Sequence, residues 1–195
     1  MIITILSEPR SGSSNLLFWF NQSKNFTILL EPSTEADYKR FSSPPYTTLD
    51  KDITIDNVDD INTWRYSTQH LVVKEICNPN NNYENLFKSS NKVIILYREN
   101  YEEQKESWLM SVNTKKWGGK YFFDKSLLLD KSDDYLIEIK EEIQKYKVED
   151  NFIISYEELY YGGGINKLID YIGIEELKTN QFPYGEKFRK NKELI

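Results

Sequence analysis

The sequence holds a single cysteine, Cys77, and a single histidine, His70, in 195 residues. One cysteine excludes an intrachain disulfide and fits a reducing compartment. A small apolar core position is the ordinary place for it. One cysteine and one histidine cannot assemble a His/Cys zinc ligand set, so no metal is expected. Basic residues are outnumbered, 25 Lys and Arg against 31 Asp and Glu, for a formal net charge of -6. That balance argues against nucleic acid as a partner, because nucleic-acid binding draws its affinity from counterions released onto a positive surface. No window approaches the ~20 apolar residues of a membrane span. The apolar start after Met1 is broken by Ser7, Glu8, Pro9 and Arg10 and has no basic leader. A cytoplasmic protein with no membrane partner is expected, and composition carries no sign of oligomeric state.

Hydrophobic residues make up 39% and charged residues 29%, enough for one domain with a real core. A single domain over residues 1–195 is expected. Short, β-branched, nearly continuous apolar runs at Ile2–Leu6, Phe26–Glu31, Leu71–Ile76, Lys92–Tyr97 and Phe152–Ser155 read as strands buried on both faces. Helical patterns lie between them, at Ser13–Ser23, Tyr101–Asn113, Asp133–Lys147 and Ile165–Ile172. In the third, Leu136, Ile139 and Ile143 share a face and the charges lie opposite. Strands alternating with helices predict an α/β fold of three layers: a central, mostly parallel β-sheet of about five strands flanked by helices. Two stretches do not fit that alternation. Residues 32–62 are polar and carry Pro44–Pro45; residues 115–131 are aromatic and basic, with Gly118–Gly119. Both are expected to be loop or lid insertions.

The chemistry starts in "ITILSEPRSGSSNLLFWF", Ile3–Phe20, an apolar run, a small-residue turn and an amphipathic helix. At such a turn the free N–H groups of the helix start and the helix dipole favour an anion. Gly12 allows close backbone approach, Ser11, Ser13 and Ser14 offer hydroxyls, one of them also suited to cap the helix, and Arg10 adds a planar donor fork. An ATP-type loop needs G-x-x-x-x-G-K-[ST]. With Gly12 as its second glycine, the first glycine falls on Ser7 and the lysine on Ser13, so that motif is absent. A second group lies in "KVIILYRENYEEQKESWLMS", Lys92–Ser111, where Arg98 ends a strand and Ser107 sits in the next helix. Ligands of open α/β sheets bind at the carboxyl ends of strands, which places Arg98 on the same rim as Pro9–Ser14.

"PRSGSSNL", Pro9–Leu16, resembles the 5′-phosphosulfate loop of sulfotransferases that use 3′-phosphoadenosine-5′-phosphosulfate (PAPS). Arg98 and Ser107 resemble that family's 3′-phosphate motif, an arginine at a strand end and a serine in the following helix, here nine residues apart. "ISYEEL", Ile154–Leu159, resembles a strand-to-helix segment whose tyrosine approaches the adenine, and "KFRKN", Lys187–Asn191, resembles a late basic loop at the 3′-phosphate. The resemblance implies a fold like that of P-loop nucleotide kinases. It implies PAPS as sulfuryl donor and 3′-phosphoadenosine 5′-phosphate (PAP) as product, with a small-molecule or glycan acceptor presenting a hydroxyl or amine. The cofactor contacts it implies are Arg10, Ser11, Gly12, Ser13, Ser14, Asn15, Arg98, Ser107, Tyr156, Arg189 and Lys190.

Sulfuryl transfer needs a gripped donor, a stabilised leaving oxygen and a base for the acceptor. Arg10 and the amides of Ser11–Ser14 suit the leaving group. Glu31, which ends the second strand within "ILLEPS", is the first choice of base; the other reading is a strand-end carboxylate facing water. His70 is the runner-up, although it precedes "LVVKEI" and so belongs to the wrong end of a parallel strand. Lys74 is a candidate charge stabiliser or an exposed lysine, and Glu75 lies beside it. "NTKKWGGKYFF", Asn113–Phe123, offers Trp117, Tyr121 and Phe122 to an acceptor or to lid packing. Two other functions stay open: a P-loop-type phosphoryl-transfer enzyme such as a small nucleotide kinase, against which the missing lysine counts, and a non-catalytic nucleotide-binding module.

Overall fold

The five apolar runs come together because each buries side chains on both faces, which only a sheet with helices above and below can accommodate. In the computed structural model, which describes residues 1–32, 53–54, 65–114 and 134–182, the strands are β1 (Ile2–Ser7), β2 (Phe26–Leu30), a short antiparallel pair β3 (Ile53–Thr54) and β4 (Arg65–Tyr66), β5 (His70–Ile76), β6 (Lys92–Tyr97) and β7 (Phe152–Ser155). All but the short pair form one sheet of order β2-β5-β1-β6-β7. Every pairing in it is parallel. The sheet expected to be mostly parallel is wholly so.

The helices are α1 (Ser13–Phe20), α2 (Glu84–Ser89), α3 (Tyr101–Thr114), α4 (Asp134–Gln144), α5 (Tyr156–Tyr161) and α6 (Ile165–Ile172), followed by a 3-10 turn at Glu175–Thr179. The two-residue period of the strands sorts the core. Ile3, Ile5, Ile28, Val72, Ile94, Leu96 and Ile154 pack under α1, α5 and α6. Leu6, Val93 and Ile95 pack on the other face with Cys77, Tyr83, Ile139 and Ile143. Burial, with lesser contributions from Glu142 and Glu8, pushes the Cys77 thiol up to about 12, so it stays protonated and serves packing.

Helix ends differ from the expected ones: α1 stops at Phe20 and α4 covers Asp134–Gln144. Helix α2 and the pair β3–β4 were not expected, whereas α5 starts at Tyr156 inside the segment that resembles a strand-to-helix junction. Elements of two to six residues are too short to show a period. Strand β3 falls within the expected insertion 32–62; the rest of that stretch past Pro32, and 115–131, lie outside the described residues.

The strand order positions the site. From β1 the chain leaves toward β5 and β2; from β5 it crosses β1 to reach β6 and β7. Connections therefore diverge between β1 and β6 at their carboxyl ends, where open sheets form a crevice. The segments after β1 and β6 are the two that carry Arg10 and Arg98.

Candidate active site

The loop after β1 is tied to the sheet before it turns: Glu8 N donates to Leu96 O at 3.1 Å. Two residues then take left-handed backbone, Arg10 at φ 62° and Gly12 at φ 80°. For an L-residue such as Arg10 this conformation costs free energy and persists where surrounding contacts enforce it, commonly at sites. Ser11 Oγ closes the turn by donating to Glu8 O at 2.7 Å. The hydroxyl expected to cap α1 does not: the cap residue is Gly12, without a side-chain bond. Asn15 and Leu16 N–H both donate to Gly12 O. The amides of Ser13 and Ser14 come earlier and have no carbonyl a turn back to bond within the helix. Tyr160 OH also donates to Gly12 O, at 2.7 Å. The rings of Tyr160 and Tyr156 lie so close that a Cβ on Gly12 would meet them at 2.8 and 3.0 Å. Only glycine fits this point of the turn.

Arg10 reaches across the crevice, its Nε donating to Ser107 Oγ on α3 at 2.9 Å. Arg98 comes from the other side and donates from Nη1 to the Arg10 carbonyl at 3.1 Å. Burial, and after it the charge of Arg98, pull the Arg10 guanidinium below its ordinary pKa. Two cations are thus held near each other, an arrangement that favours an anion between them. Arg98 is bounded by protein groups on its other sides. Nη2 bonds Glu103 Oε2 at 2.9 Å. Nε lies 3.7 Å from Glu157 Oε1, too far for a hydrogen bond. The guanidinium carbon lies 4.6 Å from the centre of the Tyr156 ring. Tyr156 therefore stands between Gly12 and Arg98 and joins the two motifs. Glu157 also accepts from Glu99 N at 3.0 Å and Asn100 N at 3.2 Å.

Beneath this surface lies a buried polar junction. Glu8 is 1% exposed. Its Oε2 accepts from Arg98 N at 3.0 Å, Gln104 Nε2 at 2.9 Å and Lys140 Nζ at 3.0 Å. Lys140 also bonds Arg98 O at 2.9 Å, and Gln104 bonds Pro9 O at 2.9 Å. One carboxylate thus fixes the loop after β1, the end of β6, α3 and α4 together, as buried networks with several partners do. Sequence reading missed Glu8, Gln104, Lys140, Glu103, Glu157 and Tyr160. Lys140 had a usable signal: it lies four residues after Leu136 and three before Ile143, so it borders the apolar stripe and does not sit opposite.

Glu31 and Lys74 stand further along the rim. Lys74 Nζ is paired with Glu31 Oε1, and their side chains are 2% and 26% exposed. The two candidate roles are thus coupled in one ion pair. Glu31 is also held at φ 54°, with its N–H donating to Lys74 O at 2.6 Å. Strand β5 separates β2 from β1, which puts the ends of β2 and β1 about 10 Å apart. Glu75 is buried, and its carbonyl accepts from Ser7 Oγ at 3.1 Å. His70 does not join this group. It pairs with Phe26 at the amino ends of the strands, its ring 4.8 Å from that of Phe26. Burial first, then the terminal ammonium, lower its pKa against a raising effect of Glu176. The length of the sheet separates it from the rim, so His70 is not carried forward as a base. Arg189, Lys190, Trp117, Tyr121 and Phe122 lie outside the described residues. Among the described residues no three His, Cys, Asp or Glu are grouped to hold a metal ion, and no helix is long and apolar enough to cross a membrane.

A five-stranded parallel sheet covered by helices, with its crevice between the loop after β1 and the end of β6, is the P-loop-like α/β fold of sulfotransferases. Among solved structures, the chain is similar to the mouse sulfotransferase SULT7A1 in its crystal structure complexed with PAP, with a TM-score of 0.56 and 13% sequence identity. The match covers 98% of this chain and 62% of the mouse chain, so the likeness is one of fold over part of a longer protein. No protein-family model and no curated protein matches the chain.

Proposed function

We propose that this chain is a PAPS-dependent sulfotransferase that moves a sulfuryl group to a hydroxyl or amine of a small-molecule or saccharide acceptor. The observation that carries the reading is the meeting of Arg10, Arg98 and Ser107 at one crevice, with Arg10 bonded to Ser107 and Arg98 to the Arg10 carbonyl. A bisphosphorylated nucleotide is the ligand that both motifs suit together. The donor set fits it. Arg98 Nε–H is buried without a hydrogen-bond acceptor among the described residues. Ser107 Oγ accepts from Arg10 and keeps its own proton to donate. The amides of Ser13 and Ser14 open the α1 helix toward the 5′ end of such a ligand.

In this reading PAPS supplies an activated sulfuryl group. Arg10 and the loop amides hold negative charge on the phosphate oxygen from which that group departs, Arg98 and Ser107 hold the 3′-phosphate, and Tyr156 forms the wall that keeps Arg98 in place. Glu31 is the base for the acceptor, with the Lys74 ammonium orienting its carboxylate. The ~10 Å between the strand ends leaves room for an acceptor group between Glu31 and the loop. The neighbour's complex with PAP supports the choice of nucleotide, and the missing ATP-loop lysine argues against the phosphoryl-transfer alternative.

The test is sulfuryl transfer from labelled PAPS to a panel of hydroxyl and amine acceptors by the natural chain and by Glu31→Gln. The natural chain is expected to sulfate at least one acceptor class. The variant is expected to bind PAP within about twofold of it and to turn over roughly 100-fold or more slowly, the range for loss of a general base. PAP binding with no product from any acceptor would favour the non-catalytic module. An unchanged rate in the variant would remove Glu31 from the chemistry.

A further inference from the structure

Arg98 has a protein partner on every side. Its Nη1 is bonded to the Arg10 carbonyl, its Nη2 to Glu103, its Nε faces Glu157 and its flat face lies on Tyr156. Its side chain is 11% exposed. The Nε–H has no hydrogen-bond acceptor among the described residues, so an anion that takes more of this guanidinium than that one donor must replace one of those partners. The four are not equally replaceable. The Arg10 carbonyl belongs to the backbone of the loop. Tyr156 is wedged against Gly12. Glu157 is anchored by two further backbone amides, Glu99 N and Asn100 N. Glu103 is the outermost, its side chain 36% exposed, against 28% for Glu157. It stands in the first turn of α3, where the helix dipole still favours its charge after it lets go of Arg98. Its backbone is secured independently, Glu103 N donating to Asn100 Oδ1 at 3.2 Å.

We infer that Glu103 is an internal competitor for the phosphate that Arg98 binds: its carboxylate occupies Nη2, swings away when the nucleotide's 3′-phosphate arrives, and returns to expel it. The inference rests on the sulfotransferase reading above and adds a residue that sets affinity and release. A dianionic phosphate monoester can displace a singly charged carboxylate from a guanidinium, whereas a bare 3′-hydroxyl cannot. Glu103 thus rewards the fully phosphorylated nucleotide and keeps its binding weak enough for product to leave. Release of product limits turnover in many transferring enzymes, so such a residue acts on speed as well as on affinity.

The test is Glu103→Gln in the full chain, with Glu102→Gln as control. Glu102 lies in the same helical turn and removes the same charge, and no bond joins it to Arg98 among the described contacts. Calorimetry gives the affinity for PAP and for adenosine 5′-phosphate, and displacement kinetics give the rate at which PAP leaves. Glu103→Gln is expected to bind PAP about tenfold more tightly, almost wholly through slower dissociation, and adenosine 5′-phosphate within twofold of the natural chain. Glu102→Gln should change neither by more than twofold. PAP binding that weakens or stays the same in Glu103→Gln would overturn the competitor role, as would an equal gain in Glu102→Gln, which would mean general charge. Absence of PAP binding in the natural chain and both variants would instead overturn the nucleotide reading itself.

Discussion

Arg98→Ala is expected to weaken PAP binding by about a hundredfold while weakening adenosine 5′-phosphate by no more than tenfold. A charge-assisted bond to phosphate is worth about 1.5–3 kcal/mol net, and each 1.4 kcal/mol is a factor of ten in affinity. The loss also exposes Glu157 and Glu103, whose carboxylates Arg98 now faces, to the incoming phosphate. The smaller loss for the monophosphate has its own cause, since Arg98 Nη1 supports the carbonyl of Arg10 in the 5′ loop. Arg98→Lys separates the two effects, because lysine keeps the charge but not the fork that reaches carbonyl and anion together. It should recover less than half of the lost binding energy. Equal losses for both nucleotides in Arg98→Ala would show that Arg98 acts only by propping the loop.

Gly12→Ala is expected to remove nucleotide binding and to lower the melting temperature by roughly 5–15 °C. Two terms add. Left-handed backbone costs an L-residue about 1–2 kcal/mol, and Gly12 sits at φ 80°. Forcing a methyl into a packed site costs about 1–3 kcal/mol more, and here it would stand 2.8 Å from Tyr160 Cε2. For a chain of this size each kcal/mol moves the midpoint by about 2–4 °C. Gly163 supplies the comparison. Its φ is 77°, yet nothing lies within 4 Å of the position its Cβ would take. Gly163→Ala should therefore cost the backbone term alone and leave PAP binding intact. Scanning calorimetry of both variants checks this, and equal losses would mean that the tyrosine wall is not what demands glycine at residue 12.

The strands were legible because each is a short apolar run rich in β-branched residues, most of them buried on both faces, although the edge strand β7 leaves Ile153 exposed. Their parallel order followed from the helices between them. The loop after β1 was legible for a local reason: proline, arginine, glycine and serines within six residues answer to one turn. The polar junction was not. Glu8 looked like the residue that breaks an apolar run, and nothing near it in the chain announces Gln104 or Lys140, which arrive 96 and 132 residues later. The charge balance around Arg98 was hidden for the same reason, because Glu157 lies 58 residues from Glu99 whose amide it accepts. Lys74 and Glu31 were each legible as rim residues, while their pairing depends on β5 lying beside β2. Most residues that act through the sheet's topology had to be seen, and so did Glu103, whose bond to Arg98 spans only five residues.

The most direct measurement is metal-free calorimetry of the full chain with three ligands: PAP, adenosine 5′-phosphate and adenosine 3′-phosphate. If the loop after β1 and the end of β6 hold the two ends of one nucleotide, PAP binds one per chain and at least tenfold more tightly than either monophosphate. PAP binding no tighter than the better monophosphate, or binding of ATP with magnesium in its place, would contradict the account.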